Sequence, residues 1–180
     1  MYQVRNILIA AAIFMLVLSG SVMADIVINE IHYNPGSAQG NDSDFEFLEI
    51  YNSGESAVDI SGYYFDAGDS TGSQPIIFTF PASTTINADD YMVVAVDRDT
   101  FIVWYGFGAD TVKVFDFSGA LGNSGELCQL RDSAHNLIDE LSYDDGGDWP
   151  TEPDGSGSSL ELINPEFDNS LGTNWAGSVD

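Results

Sequence analysis

VINEIHYNPG at residues 27–36 and DFEFLEIYNSGESAVDISGYYF at residues 44–65 decide the fold of this chain. Both stretches alternate or run apolar for only a few residues before a turn interrupts them. Along Glu46–Asn52, side chains take opposite faces in turn, because a strand repeats every two residues. Phe47, Glu49 and Tyr51 share one face; Glu46, Leu48 and Ile50 share the other. Each face mixes apolar and acidic groups, so at least one glutamate is expected partly beneath other structure. There it needs a hydrogen-bonding partner. With four Lys and Arg in the whole chain, backbone N–H groups are the expected donors. Asn34-Pro35-Gly36, Asn52-Ser53-Gly54 and Ser61-Gly62 supply the turns between these runs.

Outward from this segment the pattern repeats. Strands are expected over Ile26–Tyr33, Phe45–Tyr51, Ala57–Phe65, Ile76–Phe80, Tyr91–Val96, Thr111–Phe117, Glu126–Arg131, Leu137–Tyr143 and Ser159–Ile163. Ser37–Ser43 and Asp66–Gln74 read as polar loops, and no fixed-period repeat is present. Thr100–Tyr105 alone has helical character, with Asp97 or Asp99 as its cap and Gly106 as its stop. Trp149 should pin the Gly/Pro/Asp-rich 146–158 stretch to the core. The sum is an all-β sandwich with one short helix.

The N-terminus has a different character. Residues 1–24, MYQVRNILIAAAIFMLVLSGSVMA, carry one charge, Arg5, then an apolar run from Ile7 to Leu18 and small residues before a cleavage point after Ala24. This is the layout of a secretory signal peptide. The run falls short of the roughly 20 apolar residues that span a membrane. The expected organisation is therefore a signal peptide over 1–24, one domain over 25–176 and a C-terminal end over 177–180. Removing the leader takes away Arg5 and none of the 29 acidic residues, so the net charge moves from −25 to −26. Such a surface opposes nucleic-acid binding, which needs clustered Lys and Arg. It also disfavours anionic membranes, while suiting divalent cations, a cationic partner or plain solubility. Cys128 is the single cysteine, so no intrachain disulfide forms.

An ordered set of motifs resembles the lamin-tail domain family. Ile28-Asn29-Glu30-Ile31-His32-Tyr33-Asn34-Pro35 followed by Glu46–Asn52 looks like its opening, and Val58–Phe65 is similar to its Ser-Gly-aromatic strand. Phe80-Pro81 through Ile86 resembles the edge that precedes the Tyr91–Val96 strand. Asp139–Tyr143, Trp149-Pro150, Asp154–Leu160 and Asn174-Trp175 resemble the end of secreted bacterial members. The resemblance spans 26–175 and implies an immunoglobulin-like β-sandwich. It also implies a module used for protein or chromatin contacts in lamins, and beside hydrolases, nucleases or adhesion modules in secreted proteins. It implies no catalytic activity of the domain itself.

Chemistry-bearing residues are few and have structural readings. Gly68-Asp69-Ser70-Thr71-Gly72 matches G-x-S-x-G, but it lies in a polar loop and lacks the helix that a nucleophile elbow requires. His32 is expected to be packed or hydrogen-bonded in the first strand, His135 to be solvated in a hairpin turn, and Cys128 to be a small core residue. Zinc needs a Cys and His cluster that the chain lacks. Calcium is the sharper possibility, since hard cations take carboxylate and carbonyl oxygens from loops. Asp42-Ser43-Asp44, Asp66 to Asp69, and Asp144-Asp145-Gly146-Gly147-Asp148 offer them, without EF-hand or RTX spacing. Asp144, Asp145 and Asp148 are the first choice; solvated acidic loops are the alternative.

The functional expectation is a secreted or cell-surface, non-catalytic module that contacts a protein or glycan. The alternative is an accessory domain of an extracellular hydrolase or nuclease system, encoded separately or beyond Asp180. Tyr63, Tyr64, Trp104, Tyr105 and Trp149 are the aromatics to watch, because exposed ones favour such contacts. Nothing in these patterns sets an oligomeric state.

Overall fold

Alternation over 26–32 and 47–52 becomes a pair of antiparallel strands, β1 (Ile26–His32) and β2 (Phe47–Asn52). The computed structural model describes residues 26–68, 77–106 and 113–179. The signal-peptide segment 1–24 and the loop residues Asp69–Ile76, including most of the G-x-S-x-G match, lie outside the described residues. The other strands are β3 (Val58–Asp59), β4 (Tyr64–Gly68), β5 (Ile77–Thr79), β6 (Thr85–Ile86), β7 (Tyr91–Ala95), β8 (Lys113–Asp116), β9 (Glu126–Arg131), β10 (Leu137–Tyr143), β11 (Leu160–Leu162) and β12 (Trp175–Gly177). Two helices accompany them, α1 (Asp42–Phe45) and α2 (Arg98–Tyr105).

One sheet has the order β12-β11-β1-β2-β7-β8, the second the order β10-β9-β4-β5, and β3 pairs with β6 beside them. All pairings are antiparallel except β7 with β8, which α2 connects by a crossover. Ile28, Leu48, Ile50, Met92 and Val94 from the larger sheet meet Phe65, Phe78, Cys128, Leu130 and Leu141 from the smaller one in a single apolar core. This is the expected sandwich. A hydrogen bond of 2.7 Å from the Ile28 N–H to Asp139 Oδ2 ties the two sheets together.

Helix α2 forms where expected and begins two residues earlier. Asp97 caps it by accepting the Thr100 N–H at 2.9 Å, and Gly106 ends it in the left-handed conformation, φ 69°. It lies on the outer face of the larger sheet, where Phe101 and Ile102 pack on Phe47, Val93, Ala95 and Val114. Among the described residues no helix is long and apolar enough to cross a membrane.

Several elements differ from the sequence reading, β6 among them, which is not one of the expected strands. The run Ala57–Phe65 breaks into β3 and β4, because Ile60–Tyr63 turns through Gly62 with the Tyr63 N–H on the Ile60 carbonyl at 3.0 Å. The loop 37–43 runs into α1, a single turn that places Phe45 underneath it. The stretch Trp175–Gly177, which is not among the expected strands, forms β12, which gains its strand character by pairing with β11.

Candidate functional site

Helix α2 covers only part of the outer face of the larger sheet. The register sets what the uncovered part displays. Glu30 stands opposite Glu49 of β2 on one side and opposite Glu161 of β11 on the other. Three glutamates therefore form one cross-strand row, with neighbouring Cβ atoms about 5 Å apart, a spacing at which like charges destabilise a sheet. A bulge between Ile28 and Glu30 creates this alignment and turns Asn29 toward the row. The Asn29 amide donates to Glu49 Oε1 at 2.9 Å, and the Ser159 hydroxyl donates to Glu30 Oε1.

Both carboxyls hold their protons more tightly than usual. Burial pushes Glu49 up to about 8, with Glu30 beside it adding to the rise and the Asn29 amide opposing it. Burial likewise lifts Glu30 to about 6; the Ser159 hydrogen bond works against this and Glu161 with it. The next row along the sheet pairs Tyr51 with Tyr91, their rings 4.6 Å apart. Tyr91 is 42% exposed. Burial, and then Glu49 and Glu161, raise its hydroxyl above the ordinary tyrosine value. An aromatic surface and partly neutral carboxyls thus sit side by side on rigid strands. The sequence displayed each residue, but not the register that gathers them.

The expected calcium loop follows β10. Asp144 and Asp148 line a hollow of about 400 Å³ together with Trp149, Ser170 and Gly172. Asp145 is not among the residues lining that hollow. Asp144 Oδ1 accepts the Gly146 N–H at 3.0 Å. Among the described residues, no group of three or more His, Cys, Asp or Glu side chains is placed to hold a metal ion. The Asp42–Asp44 carboxylates instead serve local contacts: Asp42 accepts from Asn123 at 3.0 Å and Asp44 from Asn41 at 3.2 Å.

Glu46 is buried, and its Oε2 accepts the Leu121 N–H at 2.8 Å. This is the backbone partner that the sequence calls for. Glu126 does the same for the Gly122 N–H at 2.9 Å, and the Tyr143 hydroxyl donates to the Gly122 carbonyl at 2.9 Å. Burial holds Glu46 up at about 8; the Leu121 hydrogen bond opposes the rise, and Asp42 and Glu126 reinforce it. These carboxyls anchor one loop from inside the sandwich.

The remaining residues behave as structure. His32 is buried against Phe47, its Nε2 3.3 Å from Gln39 Oε1, and burial lowers its proton affinity. His135 lies in the exposed turn, where its Nδ1 meets the Tyr64 hydroxyl at 2.7 Å. Cys128 is a buried free thiol, pushed well above its ordinary value by burial. Trp149 packs on the core beside Trp175. Of the five aromatics singled out in the sequence, Trp104 and Tyr105 are exposed.

Comparisons with known proteins agree with this architecture. No curated protein matches the chain. Eleven chains of solved structures match it. One is a DUF4876 family protein from Bacteroides thetaiotaomicron, with a TM-score of 0.54 and 9% identity over 88% of this chain and 72% of that one. At that identity the likeness speaks for the fold alone. The family model that matches is the Lamin Tail Domain, over residues 20–145, a family of immunoglobulin-like and generally non-catalytic domains. The ordered strand motifs, the sandwich they build and this match together make the chain a member of the lamin tail domain family.

Proposed function

We propose that the chain is an exported, non-catalytic recognition module that binds a ligand on the uncovered outer face of its larger sheet. The observation that carries this reading is the Tyr51–Tyr91 pair beside the Glu161–Glu30–Glu49 row. Carboxyls aligned across three strands either repel one another as charges or must hold protons, and both cost stability. Residues that break a local rule without a structural gain mark functional positions. Of the two ligand classes open to such a module, a glycan suits this face better than a protein. Its hydroxyls take and give hydrogen bonds to the carboxyls of the row, and its apolar sugar face lies on Tyr91. Export is supported by the leader pattern of residues 1–24.

Affinity electrophoresis in gels containing soluble polysaccharides tests the reading. Retardation of the wild type that Tyr91→Ala removes is the expected result. Unretarded migration across neutral, acidic and amino polysaccharides alike would overturn it. Mass spectrometry of the secreted product should place the new N-terminus at Asp25. The alternative, an accessory domain to an extracellular hydrolase or nuclease, uses the same face to hold the substrate of a partner enzyme. A stabilising calcium at Asp144, Asp145 and Asp148 is proposed as a secondary feature. It requires the loop to draw Asp145 toward the hollow that Asp144 and Asp148 already line.

A further inference from the structure

Helix α2 has apolar residues on two sides where a surface helix needs them on one. Phe101 and Ile102 pack inward on the sheet. Val103 and Trp104 point away from it, 81% and 51% exposed. Trp104 is nevertheless held in place. The Phe45 ring meets it edge-on, centroids 5.1 Å apart at 74°. Phe45 in turn fits against the bare backbone of Gly40, where a Cβ would fall 2.4 Å from its Cε2. An exposed indole supported from below is a prepared surface, not a stray apolar residue.

Beside it, Trp104, Val103 and Thr100 form a hollow of about 400 Å³ with Asp97 and Asp99. A hydrocarbon wall, an aromatic ring and carboxylate oxygens in one hollow match the side chain of a lysine or arginine. The methylene stem of such a residue covers apolar surface, while its charged head meets the ring and the carboxylates. A neutral apolar ligand would leave Asp97 without a counter-charge, and an anionic one would be repelled.

Of the described cations, Lys113 and Arg131 are engaged elsewhere, and Arg98 reaches Asp99 in a surface pair that leaves the Asp99 side chain 90% exposed. Arg98 turns to the Val114 carbonyl at 3.1 Å and to Asp99 at 3.0 Å. Arg131 contacts Gln129 at 2.7 Å and the His135 carbonyl at 3.2 Å, and Lys113 donates to the Thr85 carbonyl. With 29 acidic and four basic residues, the long-range field of the molecule draws in a cationic partner. We propose that the α2 hollow is a docking site for a Lys- or Arg-bearing segment of a partner protein, gripped by Trp104 and Asp99. The site shares no residue with the strand face assigned to glycan, so either can fail alone.

Fluorescence anisotropy with a labelled alternating Gly-Lys octapeptide, at physiological ionic strength, tests the proposal. The same peptide with acetylated lysines is the neutral probe. Expected is saturable binding that acetylation abolishes and Trp104→Ala weakens about tenfold. Trp104→Phe should retain part of it. Asp99→Asn should weaken binding, and so should Asp97→Asn, which keeps a helix-capping acceptor while losing the charge. If Trp104→Ala binds like the wild type while the distant Glu140→Gln weakens binding as much as Asp99→Asn, the attraction is diffuse and the proposal fails. It fails equally if, without peptide, Trp104→Ala converts a dimer to a monomer, because a second copy would then be the occupant.

Discussion

Glu46 and Leu121, 75 residues apart, are joined by a hydrogen bond of 2.8 Å to a carboxyl that is 1% exposed. Burial holds that carboxyl up at about 8, against about 4.3 in an unfolded chain. The folded state therefore keeps its proton over a range in which the unfolded chain has lost it. The stability this contributes is full below the unfolded value and is lost as pH rises through the folded one. Glu49, at about 8, and Glu30 and Asp139, at about 6, act in the same direction. The urea midpoint should be higher at about pH 5 than at about pH 8.5, and Glu46→Gln, which still offers Leu121 an oxygen, should flatten the dependence. A wild-type midpoint that rises over that interval would contradict the account.

Two buried tyrosines should respond oppositely to loss of their hydroxyls. Tyr33 stacks on Tyr143 at 4.8 Å, and its hydroxyl is buried without a hydrogen-bond partner among the described residues. Burial, then Asp154, Asp145 and Asp144, push it up to about 12. Tyr33→Phe is expected to be neutral or stabilising by up to about 1 kcal/mol, since an unpaired buried hydroxyl is a cost. Tyr143→Phe forfeits the bond to the Gly122 carbonyl and is expected to lose about 1 kcal/mol. Chemical denaturation of both variants at one pH decides this.

Glu49→Gln removes one charge from the row and leaves an amide oxygen for Asn29. It should raise stability above about pH 8, by about 1 kcal/mol, and change little near pH 5, where the wild-type carboxyl is already neutral. Equal effects at the two pH values would show that the row carries no repulsion.

Asp97 caps α2 through the Thr100 N–H. Asp97→Ala should cost about 1 kcal/mol in thermal or denaturant unfolding, and Asp97→Asn close to nothing. A cost shared by both would place the role of Asp97 in its charge rather than its oxygen.

The calcium proposal predicts a melting temperature that climbs with millimolar calcium and no longer does so in Asp148→Asn. A temperature unmoved by calcium removes the ion from the account.

Strands with clear alternation were legible from sequence alone. β9 and β10 begin and end where Glu126–Arg131 and Leu137–Tyr143 place them, because inward Cys128, Leu130, Leu141 and Tyr143 alternate with outward polar residues. The α2 cap and stop were legible too, since Asp97 and Gly106 act within one turn of chain. β12 was not: Trp-Ala-Gly has little strand preference of its own and owes its geometry to β11. The glutamate row was hidden for a related reason. Glu49 and Glu161 flank Glu30 only after a bulge at Asn29 and a pairing that spans most of the domain, and one sequence does not carry such registers.

β1 lies between β2 and β11, so the first described strand has one of the last beside it. A chain emerging in order from ribosome or translocon can build β1, β2 and β7 early, yet β1 keeps a bare edge until residues 160–162 arrive. An open strand edge recruits other chains, and pairing across such sequence distance is slow. The interval before that closure is when nascent copies of this domain are most exposed to pairing with one another. Whatever shortens the interval, or shields β1 during it, governs how much of the protein reaches its native state.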